Sequence, residues 1–188
     1  MRQRASVGAP NDVTHLSLPA ASSASEGAPR ASLRLDTLFR EHSAYVSRVA
    51  FRILGQPQDV DDVVQDVFLK ASKRLHAIRD PGAVRAWLAT ITVRVARRRI
   101  RRRRVRFFFG LEAVPEEAAG PDAEHHAMLR DVRRVLDSLP ANLRIAWVLR
   151  YVEDEPLEQI AAYCSVSRAT AHRWVVRAHT ALQEAFRD

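Results

Sequence analysis

"LEQIAAYCSVSRATAHRWVVRAH", residues 157–179, decides the fold. Leu157 to Ala161 open a short helix, Cys164-Ser165-Val166-Ser167 form a tight turn, and Arg168 to His179 form a longer helix. Ile160, Ala161 and Val166 are small apolar contacts that let two helices cross closely. Ser167 is placed to cap the second helix, and Thr170, Val175 and Ala178 to anchor it. This is a helix-turn-helix layout, with Ser165 standing where such turns usually have glycine. The opposite side of the second helix carries Arg168, His172, Arg173, Val176 and Arg177, donors and contacts suited to guanine edges and phosphates in a major groove. An ordinary helical hairpin with a solvated basic face has the same short pattern, so the surroundings have to decide.

Working outward, Met128, Leu129, Val132, Val135, Leu136 and Leu139 form a helical stripe, Pro140 punctuates, and Leu143 to Tyr151 form the next helix. Upstream, residues 110–124 contain Pro115, Gly120 and Pro121, with five acids and no base, and are expected to be a linker of charge −5. Before it, Leu35, Leu38, Phe39, Val46, Val49, Ala50 and Ile53 mark an amphipathic helix ending at Gly55, and Gly55-Gln56-Pro57 breaks it. Asp59 is placed to cap a second helix, whose stripe is Val60, Val63, Val64, Val67, Phe68, Ala71 and Leu75. Asp80 caps and Pro81 occupies the first turn of a third helix, with Val84, Trp87, Leu88, Ile91 and Val95 inward.

The third helix is expected to run into "RVARRRIRRRRVRFFFG", residues 94–110, with nine arginines in 94–106. Removing those nine from the net +8 leaves −1, so the basicity belongs to one helix rather than to the whole chain. Successive side chains turn by about 100°, so the arginines cannot all touch one duplex face. Arg94 to Arg98 are expected near bases and Arg101 to Arg106 on the backbone, with Phe107 to Phe109 as an apolar clasp. Residues 1–32, rich in Ala, Ser, Pro and Gly without periodicity, are expected to be a disordered tail. No stretch alternates with period two. The fold class is all-α: two small helical domains, 33–109 and 125–188, joined by a flexible linker at 110–124.

Composition narrows function further. The chain has 188 residues, 47% apolar and 28% charged, a globular balance. A single cysteine, Cys164, excludes an internal disulfide or a cysteine-built zinc site and fits a reducing cytoplasm. No apolar run reaches the roughly 18–20 residues of a spanning helix, so no membrane insertion is expected. There is no phosphate loop, no nucleophile elbow and no metal-spaced histidine set. His125 and His126 are adjacent, hence divergent on a helix. No cofactor, metal or catalytic residue is expected, and the chain is not read as an enzyme.

The order "LFREHSAYVSRVAFRILGQPQDVDDVVQDVFLKA", then "AWLATITVRVARRRIRRRR", then "LDSLPANLRIAWVLRYVEDEPLEQIAAYCSVSRATAHRWVVRAHTAL" resembles bacterial sigma factors of the extracytoplasmic-function group. The resemblance spans about residues 33–184. It implies a region 2-like domain at 33–109, a region 4-like domain at 125–188, and recruitment of core RNA polymerase to promoters. By this resemblance Asp59, Asp61, Asp62, Gln65, Asp66 and Leu69 contact the β′ clamp helices, with the β flap a further polymerase contact. Arg79, Arg85, Arg94, Arg97, Arg98 and Arg101 would grip and open the minus-ten element. Arg168, His172, Arg173, Val176 and Arg177 would read the minus-thirty-five element. Extracting a base from the stack costs a few kcal/mol and needs cationic or aromatic surfaces. Trp87, on the inward stripe, is assigned to core packing rather than stacking.

Arg94 replaces an asparagine and Arg98 an acid common in the family, and His172 and Trp174 stand where many relatives have arginine. Relatives are commonly held by an anti-sigma factor, which makes one an expected partner. A further expectation is that the −5 linker, through Glu112, Glu116, Glu117, Asp122 and Glu124, folds back on the arginine helix. Two other classes fit parts of the pattern: a stand-alone helix-turn-helix regulator, and an arginine-rich RNA-binding protein.

Overall fold

A computed structural model describes residues 34–78, 80–108 and 123–187. Among these, seven α-helices and no strand occur: α1 (Leu35–Leu54), α2 (Val60–Ser72), α3 (Val84–Phe108), α4 (Ala123–Ser138), α5 (Ala141–Tyr151), α6 (Leu157–Cys164) and α7 (Arg168–Ala185). Single 3₁₀ turns at Pro57–Asp59, Leu75–Ala77 and Pro81–Ala83 join the first three.

The breaks follow local chemistry. Gly55 ends α1 in the left-handed region at φ 67°, its N–H bonding back to the Phe51 carbonyl, a conformation that glycine adopts without Cβ strain. Asp80 accepts the Gly82 N–H at 2.8 Å while Pro81 opens the turn before α3, as its sequence position requires. Asp59 departs from expectation. It sits at the N-cap position of α2, yet its side chain makes no cap bond, because the Arg99 guanidinium of α3 takes its carboxylate through Nε at 3.0 Å and Nη2 at 2.6 Å. A charge-assisted pair with two donors outcompetes a single backbone N–H.

The α1 stripe is inward at Leu38, Val46, Val49, Ala50 and Ile53, but Leu35 and Phe39 are 40% and 49% exposed. On α4, Met128 and Leu129 are likewise exposed, and Leu136 is the residue that is buried. The α2 stripe from Val60 to Ala71 is buried as its period predicts. Ala123 and Glu124 already belong to α4, so helix begins two residues before the expected domain start at 125. The expected tail, most of the expected linker, Arg79 and Phe109 lie outside the described residues.

The helices α1–α3 and the helices α4–α7 meet directly, and all described residues belong to one compact unit with a shared hydrophobic core. Helix α3 lies at the centre, touching α1 and α2 on one side and α5 and α6 on another. Its burial is therefore wider than one stripe: Ala89, Thr92, Val93 and Ala96 are fully buried along with Val84 and Leu88. Thr92 satisfies its hydroxyl on the Leu88 carbonyl at 2.8 Å, which removes the cost of burying it. Trp87 and Ile91 are partly buried against the same core.

Candidate nucleic-acid and polymerase interface

The helix-turn-helix closes as its residues dictate. Ser165 adopts φ 58° and ψ 50°, the left-handed cap that a glycine would otherwise supply, and the Val166 N–H bonds the Ala161 carbonyl at 3.0 Å. Ser167 Oγ then accepts the Thr170 N–H at 3.2 Å and caps α7. Ala171, Val175, Ala178 and Leu182 face inward on α7, which leaves His172, Arg173, Val176 and Arg177 together on the exposed side. Arg168, at the start of α7, is exposed, and its Nε donates to Glu158 Oε1 at 2.5 Å. The Glu158 backbone N–H and this guanidinium hold the Glu158 carboxyl below its usual range.

On α3, Arg94, Arg97, Arg98 and Arg101 fall along one groove of about 600 Å³, which Arg102, Val105 and Arg106 complete. Four of the minus-ten candidates are thus brought together. Arg102 and Arg106, part of the Arg101 to Arg106 run expected on the backbone, share this groove because each follows an arginine of the same face, Arg98 and Arg102, by four residues. Arg85 lies apart, at the N-terminal end of α3, with its guanidinium 4.5 Å from the Tyr45 ring centroid. Arg99 points elsewhere, to Asp59 and to Asp62 Oδ2 at 3.0 Å, and these bonds raise its pKa further. The helix continues through Phe108.

The acids of α2 form a second surface. Asp61, Asp62, Gln65 and Asp66 are exposed, and Leu69 is 62% exposed. Beside them an apolar groove of about 650 Å³ opens between α1 and α2, lined by Leu35, Phe39, Phe68 and Leu69, with Asp36, Arg40, Gln65 and Ser72 at its edges. The Phe39 and Phe68 rings meet edge-on at 4.8 Å between centroids, so Phe39 is braced while remaining half exposed. Sequence periodicity had assigned Leu35 and Phe39 to the core, and their role as groove walls emerges only when α2 is set beside α1. Asp59 is the half-buried one of the six polymerase candidates, and it shares Arg99 with the exposed Asp62.

Among the described residues no cluster of His, Cys, Asp or Glu is arranged to hold a metal, and no helix is long and apolar enough to cross a membrane. Cys164 is buried, and burial pushes its thiol pKa up even though Arg97 lies against it.

The sequence and the fold are similar to those of known proteins. Residues 38–106 match the family Sigma-70 region 2, and residues 129–182 match Sigma-70, region 4. The chain is 32% identical to the ECF RNA polymerase sigma factor SigE of Mycolicibacterium smegmatis over 79% of its own length and 60% of that protein's. It is 28% identical to RNA polymerase sigma factor SigV of Bacillus subtilis, covering 77% of this chain and 86% of that one. It is 30% identical to the ferric citrate uptake sigma factor FecI of Escherichia coli, covering 79% and 88%. In fold it is similar to the sigma factor RpoE of Bartonella quintana, solved with the anti-sigma factor NepR, at a TM-score of 0.62 and 24% identity over 81% of this chain and 96% of that one. It is also similar to CnrH, solved with the cytosolic domain of CnrY, at a TM-score of 0.56 and 24% identity, covering 81% and 86%. With both sigma-70 modules in order on one helical frame, the chain belongs to the extracytoplasmic-function group of RNA polymerase sigma factors.

Proposed function

We propose that this chain is a promoter-specificity subunit that binds core RNA polymerase in the cytoplasm and directs transcription initiation. The α2 acids with the α1–α2 groove dock on the β′ clamp helices, the arginine groove of α3 engages the minus-ten element, and the exposed face of α7 reads the minus-thirty-five element. Residues 33–109 and 125–188 act as the region 2-like and region 4-like domains. The chain contributes binding and strand separation but no bond-making chemistry, and no cofactor enters.

The observation that favours this over a stand-alone regulator is the α1–α2 groove: an apolar trough beside the exposed acids Asp61, Asp62 and Asp66 suits a basic amphipathic helix of another protein. A regulator that only bound DNA would have no use for it. The β flap is proposed as a second polymerase contact, and an anti-sigma factor, as in the solved complex of RpoE with NepR, as a regulator. Mixing the purified chain with core polymerase should give a stable complex and run-off transcription from specific start sites. Failure to associate with core polymerase would favour the stand-alone regulator.

A further inference from the structure

Arg168 lies one turn before His172 on α7, so the two exposed side chains share a face. The Arg168 guanidinium reaches back to α6, where its Nε donates to Glu158 Oε1 at 2.5 Å. Arg168 is 68% and Glu158 61% exposed, so the core does not require the pair. Glu158 sits in the first turn of α6, and its own backbone N–H together with Arg168 keeps its carboxyl ionised at neutral pH. Between the start of α6 and the face of α7 lies an opening of about 600 Å³, walled by Leu157, Arg168, Ala169 and His172. Ala169 places only a methyl group there, which leaves the guanidinium room on the open side.

Ion pairs between exposed side chains add little to stability, and this one acts instead through the shape of the guanidinium. That planar group carries one N–H on Nε and two on each Nη, in a fixed fork. Glu158 takes Nε, and among the described residues the two Nη nitrogens meet no acceptor. A guanidinium held by its Nε edge presents the Nη pair as two parallel donors, the arrangement that matches O6 and N7 of guanine in a major groove. The pair is also electrically neutral. A free arginine at this position would add about one released counterion to the binding of any sequence, whereas a neutralised one keeps its direction without that general attraction.

We propose that Glu158 is a positioning residue that sets specificity: it holds Arg168 by Nε so that the Nη fork reads a guanine edge in the upstream promoter element instead of gripping a phosphate. This inference rests on the proposed sigma activity. A carboxylate beside the reading helix repels phosphates and so lowers affinity for every sequence alike. It raises discrimination, because an arginine steered to one base edge is not free to settle on the backbone.

The test selects duplexes from a randomised pool with the full chain on core polymerase, then measures binding of the selected duplex and its single base-pair substitutions at several salt concentrations. Wild type should lose about tenfold or more when the guanine read by Arg168 is replaced. Arg168→Lys keeps the charge but has no fork, so it should lose that one preference, keep the others and leave the salt slope unchanged. Glu158→Gln should reduce the same preference about three- to fivefold, bind scrambled duplexes more tightly and steepen the salt slope by about 1. Thermal melts of both variants should match wild type, since both side chains are exposed. An unchanged base preference in Glu158→Gln would overturn the inference, whatever Arg168→Lys does, and would leave the sigma activity intact. Failure of wild type to bind core polymerase would count against the sigma activity, and the same variants compared on duplexes selected by the full chain alone would then decide the inference. A wild-type chain that selects no duplex by either route would overturn both.

Discussion

Gly55→Ala is expected to destabilise the protein by about 2–4 kcal/mol, through backbone strain and through displacement of a buried guanidinium. Gly55 sits at φ 67°, where alanine costs about 1–2 kcal/mol, offset by roughly 0.4–1 kcal/mol because alanine loses less chain entropy on folding. The added Cβ would lie 3.0 Å from Arg133 Nε and 3.1 Å from Arg144 Nη2. Arg144 is only 5% exposed; it donates to the Ile53 carbonyl at 2.7 Å and pairs with Asp137, tying the end of α1 to α4 and α5. Burial, Arg133 and Arg103 lower its pKa to about 10, so it is still charged at neutral pH and cannot shed its proton to accommodate the methyl. Shifting it weakens a charge-assisted hydrogen bond of about 1.5–3 kcal/mol. Urea denaturation followed by circular dichroism measures the difference. Gly82→Ala is the control: its φ is not in the left-handed region and its Cβ would meet only the end of the exposed Asp80 side chain at 3.2 Å, so its cost should stay below about 1 kcal/mol. If Gly55→Ala costs no more than Gly82→Ala, neither the left-handed cap nor the Arg144 contact carries the weight assigned to it.

Other variants test the surfaces. Arg173→Ala should relax minus-thirty-five discrimination by about 1–3 kcal/mol, read as the ratio of affinities for cognate and scrambled duplexes; equal loss on both would refute a base-reading role. Arg101→Ala should weaken binding to all sequences alike and lower the salt slope by about 1, measured by anisotropy titrations at several salt concentrations. Leu69→Arg, at a position 62% exposed, should leave the thermal melt unchanged while weakening core-polymerase binding at least about tenfold in a pull-down titration. Burial holds the Glu155 carboxyl above its ordinary 4.5, with Arg85 opposing. The native state therefore binds more protons than the unfolded one between those values, so stability should fall as pH rises from about 4.5 through the raised pKa. Glu155→Gln should flatten that part of a melting-temperature profile, and an unchanged slope would show that Glu155 does not produce it.

The sequence by itself determined where the helices break and which short motif they build. Gly55, Pro57, Pro81 and Pro140 set boundaries through backbone rules that act within a few residues, and Ser167 capped α7 as its position requires. The inward and outward faces of α2 and α7 were legible for the same reason, since each is buried along one side only.

Tertiary structure decided what depends on partners far along the chain. Periodicity reports one amphipathic face, so it could not show that α3, enclosed between two helical sets, also buries Ala89, Thr92, Val93 and Ala96. Nor could it show that Asp59 would give up its cap for Arg99, 40 residues away, because an ion pair between helices leaves no local pattern. Leu35 and Phe39 look like core in a single helix, and become groove walls only where α2 stops short of covering them. Arg94 and Arg97 read as free cationic surface in the sequence, and only the docking of α6 and α7 on α3 bonds the exposed Arg94 to Ser165 and half-buries Arg97 beside Trp174.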